Sequence, residues 1–344
     1  MKRLFTATLS EKESQVYQGA AVEQLFEALA HQKSKILAVA DANTRHFLPE
    51  GIEYVLVEPG EEAKNLETVR AILSHAKDLS FARDDMFVAV GGGVICDITA
   101  FAASLYMRGS GLVLAPTTLL SQVDASLGGK TGVDFEGVKN LVGTFYPASL
   151  IYLSTEALQV LPDPEFKNGL GEVLKHALLS SSDELYMFLM SNHDQIVERD
   201  EKAIGKMIRL SLEVKRSFIE RDPKETEGIR EALNLGHTFA HGLETMGGFS
   251  RFSHGEAVAW GVVRALRLSA ERNLCSPQFR AHGEKLFDLY QFDSDIRIDD
   301  ADAYLAAIGN DKKKRGGLVR FVLLEGQGRP VLVPLDTREI RDLV

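Results

Sequence analysis

Short apolar runs alternate with helical periods through the first half of the chain. Lys35–Ala40, Tyr54–Val57, Met86–Val90, Leu112–Ala115 and Leu150–Leu153 are each too short to be buried helices, and Asp, Gly or Pro follows most of them closely. Such runs predict strands buried on both faces. Between them Leu66, Val69, Ile72, Leu73 and Ala76 recur at helical spacing, and Val94–Tyr106 reads as a further helix. Strands that alternate with helices predict a parallel sheet covered on both sides. Beyond Asp163 the texture changes. Helical periods run over 163–181, 200–221, 229–246, 254–273 and 278–289, with Leu318–Leu324 the one late strand signal. The expected boundary lies near Leu161-Pro162, between an α/β parallel-sheet domain over 1–161 and a mainly α-helical domain over 162–344.

A chain of 344 residues exceeds one ordinary core, which agrees with two domains. Its apolar content of 45% and charged content of 26% are those of a soluble globular protein. No apolar run reaches the length of a membrane helix, and polar residues from Ser10 onward leave no signal-peptide core, so no membrane partner is expected. The net charge of −10 argues against nucleic-acid binding and makes any local cluster of Lys and Arg informative. Cys96 and Cys275 are far apart and form no C-x-x-C. No disulfide framework is expected, and the location is expected to be the cytoplasm.

His237, His241 and His254 all fall between Arg230 and Glu256. His237 and His241 are four apart, and on a single helix Arg230, Asn234, His237 and His241 form one polar stripe. H-x-x-x-H alone is more often a solvated face. His254, in the polar cluster Ser253-His254-Gly255-Glu256 that opens the next apolar period, shifts the balance. Imidazoles gathered this way suit a zinc-type ion, which in catalytic sites takes three protein ligands and leaves one position open. Upstream, Glu172, Lys175 and His176 share a helix face, and Glu172 is the candidate carboxylate ligand. Gly91-Gly92-Gly93 joins a strand to a helix, where free N–H groups and the helix dipole suit a pyrophosphate; a tight turn without ligand gives the same pattern. Asp41 and Asn43 follow a strand end, as a ribose-binding acid or a helix cap does. Glu61 and Lys64 read as a charged helix start. Asp124–Asp134 with Gly137–Asn140 is too polar and glycine-rich for core, and reads as a loop. Lys130, Lys139 and Asn140 in it suit an anionic or polyhydroxylated ligand.

Taken in order, the motifs GGGVICD, YMRG, PTTLL, DASLGGKTG, KN, GxGEVxK, RxxxNxGHTFxH and HGEA resemble those of the 3-dehydroquinate synthase family, from about Asp41 to Lys313. The resemblance implies a Rossmann-like NAD domain followed by a helical metal-binding domain. It implies Glu172, His237 and His254 as metal ligands, zinc before cobalt, with His241 beside them as a polar partner of the substrate. Asp124, Lys130, Asn140, Lys175, Lys215, Arg230 and Asn234 match the groups that bind and process substrate. Arg108 and Lys313 match phosphate-holding groups, with Arg108 reaching the neighbouring subunit of a homodimer; Lys312 and Lys314 are the alternatives to Lys313. Asp41, Asn43, His46, Glu61, Lys64, Gly92, Gly93, Asp97, Thr117, Thr118 and Lys139 match NAD contacts. Charge agrees independently: six of these Lys and Arg residues form a cationic set in an acidic chain, as a substrate with carboxylate and phosphate requires.

The implied reaction turns 3-deoxy-D-arabino-heptulosonate 7-phosphate into 3-dehydroquinate and phosphate, a step of the shikimate pathway to aromatic amino acids. A ring hydroxyl is oxidised with NAD, phosphate leaves from the acidified neighbour, the ketone is reduced again, and the opened ring closes by an aldol step. Lys130, Asn140 and His241 orient intermediates and stabilise oxyanions. The sequence departs from the family pattern at Cys96 and Val138, which replace usual glycines, at Asp134, which replaces a usual Asn, and over Asp222–Arg230, one residue longer than usual. Competing readings are a related deoxyinosose- or valiolone-forming cyclase and a metal-dependent alcohol dehydrogenase of the glycerol dehydrogenase kind, which lacks the basic phosphate set. A non-catalytic NAD-binding sensor predicts a damaged site, and none of the catalytic residue types is missing.

Overall fold

A computed structural model describes residues 1–248, 251–310 and 318–343. The chain forms two compact units, Met1–Phe166 and Lys167–Val344. The first contains strands β1 (Lys2–Leu9), β2 (Lys12–Gly19), β3 (Ile36–Asp41), β4 (Tyr54–Val57), β5 (Met86–Gly91), β6 (Gly111–Pro116), β7 (Lys130–Phe135), β8 (Val138–Phe145) and β9 (Leu150–Ser154). Seven of them build one sheet in the order β1-β2-β9-β6-β5-β3-β4. The β3, β4, β5, β6 and β9 runs expected from the sequence pair in parallel. Every residue of β5 is buried, which is why its sequence reads as an unbroken apolar run.

The sheet is not purely parallel. β1 and β2 form an antiparallel hairpin, and β2 runs parallel to β9. In β1 only Phe5, Ala7 and Leu9 face the core, and in β2 only Ser14 and Val16 do. In β2 the buried Ser14 weakens the alternation, whereas β1 alternates openly at Phe5, Ala7 and Leu9 and sequence reasoning missed it. A second correction concerns the glycine-rich stretch read as a loop. It forms a helical turn, Ser121–Ala125, and then the antiparallel β7–β8 hairpin, which turns at Glu136 (φ 49°) and Gly137 (φ 78°).

Within the parallel part the chain runs outward from β3 to β4 and returns to place β5 on the other side of β3. The crevice beyond the carboxyl ends of β3 and β5 is therefore a topological switch point, where open α/β sheets bind ligands.

The second unit has the expected long helices at Glu201–Ile219, His254–Glu271 and Pro277–Leu289, together with most of Asp163–Leu179. Shorter helices span Glu184–Ser191, His193–Val197 and Ala301–Asn310, and β10 (Val319–Leu324) pairs with an unexpected β11 (Pro330–Leu335). The 229–246 period does not form one helix. A 3₁₀ turn, Arg230–Asn234, is followed by Leu235 (ψ 124°) and left-handed Gly236 (φ 80°), and only then by the helix His237–Met246. Arg230 and Asn234 thus do not share a helix stripe with His237 and His241. Trp260, Phe239, Tyr304 and Phe321 pack edge-on or tilted around the centre of this unit. Their polar tips are satisfied: the Trp260 indole donates to Ile296 O and the Tyr304 hydroxyl to Phe239 O. Among the described residues no helix is long and apolar enough to cross a membrane.

Candidate active site

Each of the three candidate metal ligands stands next to a glycine at a helix crossing. Glu172 follows Gly171, His254 precedes Gly255, and His237 follows Gly236. A Cβ on Gly171 would lie 2.7 Å from Gly255 Cα, and one on Gly255 would run into the Asn168 carbonyl. A Cβ on Gly236 would lie 2.6 Å from Val262 N. The Asp163–Leu179 and His254–Glu271 helices therefore touch backbone to backbone, fastened by Gly255 N donating to Asn168 Oδ1 at 2.6 Å. That contact brings Glu172 and His254 together. The left-handed Gly236 starts the third helix against the second and delivers His237.

The result is a converging set of donor atoms. His237 Nε2 and His254 Nε2 each lie 3.4 Å from the same Glu172 oxygen, Oε1. One donor atom from each of the three residues lies within 4.8 Å of the others. Glu172 is fully buried, yet neither of its oxygens has a hydrogen bond of good geometry. A dry carboxylate facing two imidazole nitrogens at more than hydrogen-bonding distance fits a divalent cation of the zinc or cobalt type. The electrostatics agree. Against the cost of burial, Lys175 and then the two histidines hold the Glu172 carboxyl well below the usual carboxylate range. Burial and the Lys175 charge push His237 down to about 3, leaving its imidazole neutral. Burial opposes protonation of His254 as well, but Glu172 and Glu244 carry it up to about 10.

Lys175 links this cluster to the next segment. Its Nζ lies 2.5 Å from Glu172 Oε2 and donates to Leu233 O at 2.6 Å. Leu233 sits inside the Arg230–Asn234 turn, so one buried ammonium ties the carboxylate to the segment carrying Arg230 and Asn234. Taken alone, Glu172 and Lys175 at i, i+3 would make an ordinary surface pair, whereas their side chains are 0% and 2% exposed. Sequence reasoning missed two supporting carboxylates. Asp222, at the start of the longer-than-usual segment, accepts from Thr226 N at 2.8 Å, Glu227 N at 3.1 Å and Arg230 N at 3.1 Å, which fixes where Arg230 leaves the backbone. Glu244 meets His254 Nδ1 at 3.1 Å. Lys215 is buried on the Glu201–Ile219 helix, and His241 and Asn234 are exposed. Lys312, Lys313 and Lys314 lie outside the described residues.

In the first unit the cofactor candidates gather at the strand ends. Asp41 closes β3, Gly91 closes β5, and Thr117 follows β6, donating its N–H to Gly91 O at 2.9 Å. Gly92 caps the helix Gly93–Leu105, whose first N–H groups face the switch point as an anion site requires. Asp41 Oδ1 accepts from Asn43 N, Thr44 N and Thr44 Oγ1, closing a turn ahead of the 3₁₀ turn Arg45–Phe47, which itself starts at Thr44 without a side-chain cap. Lys64 and Asp97 pair with each other at 2.7 Å. Burial drives the Asp97 carboxyl up against the pull of Lys64, while at Lys64 burial is opposed by the charge and hydrogen bond of Asp97, with Glu61 and Asp134 adding, and the balance is upward. His46 stacks on Phe47, and Glu61 opens a short 3₁₀ turn. Cys96, at the position of a usual glycine, is buried in that helix, and burial pushes its thiol up. Its side chain points back to Gly91 O, within the helix's own first turn, at 3.7 Å. Asn140 holds a left-handed backbone (φ 54°), its N–H donating to Asp134 Oδ1 at 2.8 Å; Lys130 and Lys139 are exposed on the same hairpin. Arg108 also has a left-handed backbone (φ 65°), between Met107 (φ 47°) and Gly109 (φ 121°). Backbone strain of this kind costs of order 1 kcal/mol per residue and marks positions held for a purpose.

A parallel sheet with a glycine turn at its switch point, and a helical unit with a buried Glu-His-His cluster, are the parts of a nucleotide- and metal-dependent enzyme of the sugar-phosphate cyclase class. Solved structures of that class share the fold. A 2-deoxy-scyllo-inosose synthase complexed with carbaglucose-6-phosphate, NAD+ and Co2+ matches with TM-score 0.87 at 23% identity over 98% of both chains. The 2-epi-5-epi-valiolone synthase of Streptomyces hygroscopicus, with NAD+ and Zn2+ bound, matches with TM-score 0.82 at 27% identity, over 98% of this chain and 97% of that one. The chain belongs to the 3-dehydroquinate synthase family: residues 54–168 match its N-terminal model and residues 169–314 its C-terminal model. The 3-dehydroquinate synthase of Sulfurovum sp. is 37% identical over 300 residues, 87% of this chain and 84% of that protein. A bifunctional 3-dehydroquinate synthase/phosphatase of Fusobacterium nucleatum is 33% identical over 80% of this chain, which spans only 41% of that longer protein.

Proposed function

We propose that this chain catalyses the 3-dehydroquinate synthase reaction, converting 3-deoxy-D-arabino-heptulosonate 7-phosphate to 3-dehydroquinate and phosphate in the shikimate pathway. The observation that carries the reading is the buried Glu172–His237–His254 cluster joined through Lys175 to the Arg230–Asn234 turn. Glu172, His237 and His254 hold the ion, zinc by preference, and Asp41, Gly92, Gly93, Thr117 and Thr118 lead the set that holds NAD. When bound, NAD supplies a reversible hydride acceptor and the cation polarises a substrate hydroxyl so that its proton leaves more easily. Lys175 keeps a positive charge at the carboxylate and binds a substrate oxygen beside it. Arg230, fixed by Asp222, Asn234 and Lys215 orient the sugar acid. His241, Lys130 and Asn140 steady negative charge as it develops on oxygen.

Such a cycle uses NAD without consuming it. Incubation with the heptulosonate phosphate and substoichiometric NAD is expected to release one phosphate per substrate with no steady rise in the near-ultraviolet absorbance of reduced nicotinamide. Absorbance that climbs in step with product points to a dehydrogenase instead. Phosphate released from a hexose phosphate and not from the heptulosonate points to a different cyclase.

The proposed assembly is a homodimer in which Arg108 serves the neighbouring subunit's site. The supporting observation is an exposed apolar surface around it: Leu105 and Met107 on one side, and Leu141 and Phe145 on the hairpin that Thr144 ties to Ser104. Apolar side chains grouped in this way mark a contact surface. Arg108→Ala and His237→Ala, each inactive alone, are expected to recover a fraction of wild-type activity when their subunits exchange. Demonstrated exchange without recovery removes the shared-site proposal.

A further inference from the structure

Glu244 lies two helical turns beyond His237, so that His237, His241 and Glu244 occupy positions i, i+4 and i+7 on one face of the His237–Met246 helix. The His254–Glu271 helix packs against it and opens with His254. This places the His254 ring between two carboxylates, with Nε2 3.4 Å from Glu172 Oε1 and Nδ1 3.1 Å from Glu244 Oε1. We propose that Glu244 is a positioning residue for the metal site, holding His254 by Nδ1 so that Nε2 stays aimed at the ion. The proposal rests on the metal reading of Glu172, His237 and His254.

The argument is one of proton placement and of freedom removed. An ionised carboxylate only accepts, so Nδ1 must carry the hydrogen of the Glu244 bond. Once a cation occupies the other side, the remaining tautomer presents a bare Nε2 lone pair to it. The ring would otherwise be loosely held, since the His254 side chain is 31% exposed at the first position of its helix. Its backbone is already fixed by a capping box, in which Ser253 Oγ accepts from Glu256 N and the Glu256 carboxylate accepts from Ser253 N. Glu244 supplies the missing constraint on the side chain. His237 is held differently, its Nδ1 facing the neutral Leu235 carbonyl at 3.2 Å. The two imidazoles therefore have unequal outer partners, and the one backed by an anion is the stronger donor to the ion.

A mere interhelical bridge predicts something else: lower stability with unchanged affinity for the ion. Cobalt(II) titration of the metal-free full-length protein, followed by its visible absorption and by competition with a chelator, separates the two. Glu244→Ala is expected to weaken cobalt binding roughly 10- to 100-fold and to shift the visible bands, because outer partners of ligating histidines carry effects of that size. Glu244→Gln, whose carbonyl still accepts from Nδ1 without the charge, is expected to fall between wild type and Ala. Cobalt affinity and spectra in both variants equal to wild type, whatever the change in thermal midpoint, overturn the proposal. If the Ala variant does not fold, Gln with wild-type affinity overturns it alone. Wild-type protein that takes up no divalent ion removes the metal reading, and this proposal with it.

Discussion

Gly255→Ala is expected to cripple the enzyme while removing no functional side chain. The new methyl group meets backbone, the Asn168 carbonyl oxygen and the carbonyl carbon at 2.7 Å, and backbone cannot rotate aside as a side chain can. Exchanging Gly for Ala in a helix ordinarily gains about 1 kcal/mol, and less in a first turn. Overpacking costs roughly 1–3 kcal/mol and sometimes more, so the clash decides the sign. The helices carrying Glu172 and His254 must part, and the 2.6 Å bond from Gly255 N to Asn168 goes with them. A misplacement of about 1 Å at reacting groups costs on the order of 100-fold in rate. The expected result is a fall of kcat/KM by about 100-fold or more, with a thermal midpoint lowered by several degrees (roughly 2–4 °C per kcal/mol). Gly309→Ala is the control, because among the described residues a Cβ there meets nothing within 4 Å. Its activity is expected to match wild type. Wild-type kcat/KM in Gly255→Ala would mean that close helix approach does not set the site.

His237→Ala is expected to lose the ion and, with it, at least about a thousandfold in kcat, since a bound metal supplies several kcal/mol of charge stabilisation. The choice of ligand matters for reading the result. Removing the Glu172 charge would strand the Lys175 ammonium, which is 2% exposed, and breaking a buried pair costs about 3–5 kcal/mol. Such a variant would confuse unfolding with loss of metal. His237→Ala leaves the Glu172–Lys175 pair intact and removes an imidazole that is already neutral, so the fold is expected to survive. Elemental analysis and activity are the two measurements. A full equivalent of metal with activity retained sinks the ligand assignment.

Much of this protein is legible along the chain. Runs such as Met86–Val90 declare a doubly buried strand, because burial on both faces leaves no polar positions to interrupt them. The helical periods from Asp163 onward are legible because burial on one side of a helix repeats every three or four residues. The ordered motifs carry the family, and with it the candidate ligands. What escaped follows a physical rule. β2 and β7 bury Ser14 and Gly132 with a single large apolar residue each, Val16 and Val133, and so sparse an apolar face leaves little hydropathy signal. The stretch Arg230–His241 has helical spacing throughout, yet left-handed Gly236 breaks it, packed so close to Val262 that no side chain fits.

By itself, then, the sequence determined which chemical groups are present and placed the segments with a strong local period, the doubly buried strands and most of the long helices, since both depend on residue type and spacing. Only the tertiary structure decided what those groups face. Glu172 and Lys175, three apart on one helix face, prove to be a buried ion pair, beside a helix that approaches backbone to backbone at Gly171 and Gly255. Glu244 carries no motif of its own, and becomes an outer partner of the site because the next helix starts with His254 against it. A carboxylate's surroundings set its charge, its bonds and its use. Those surroundings come from segments distant in sequence, which local pattern does not encode.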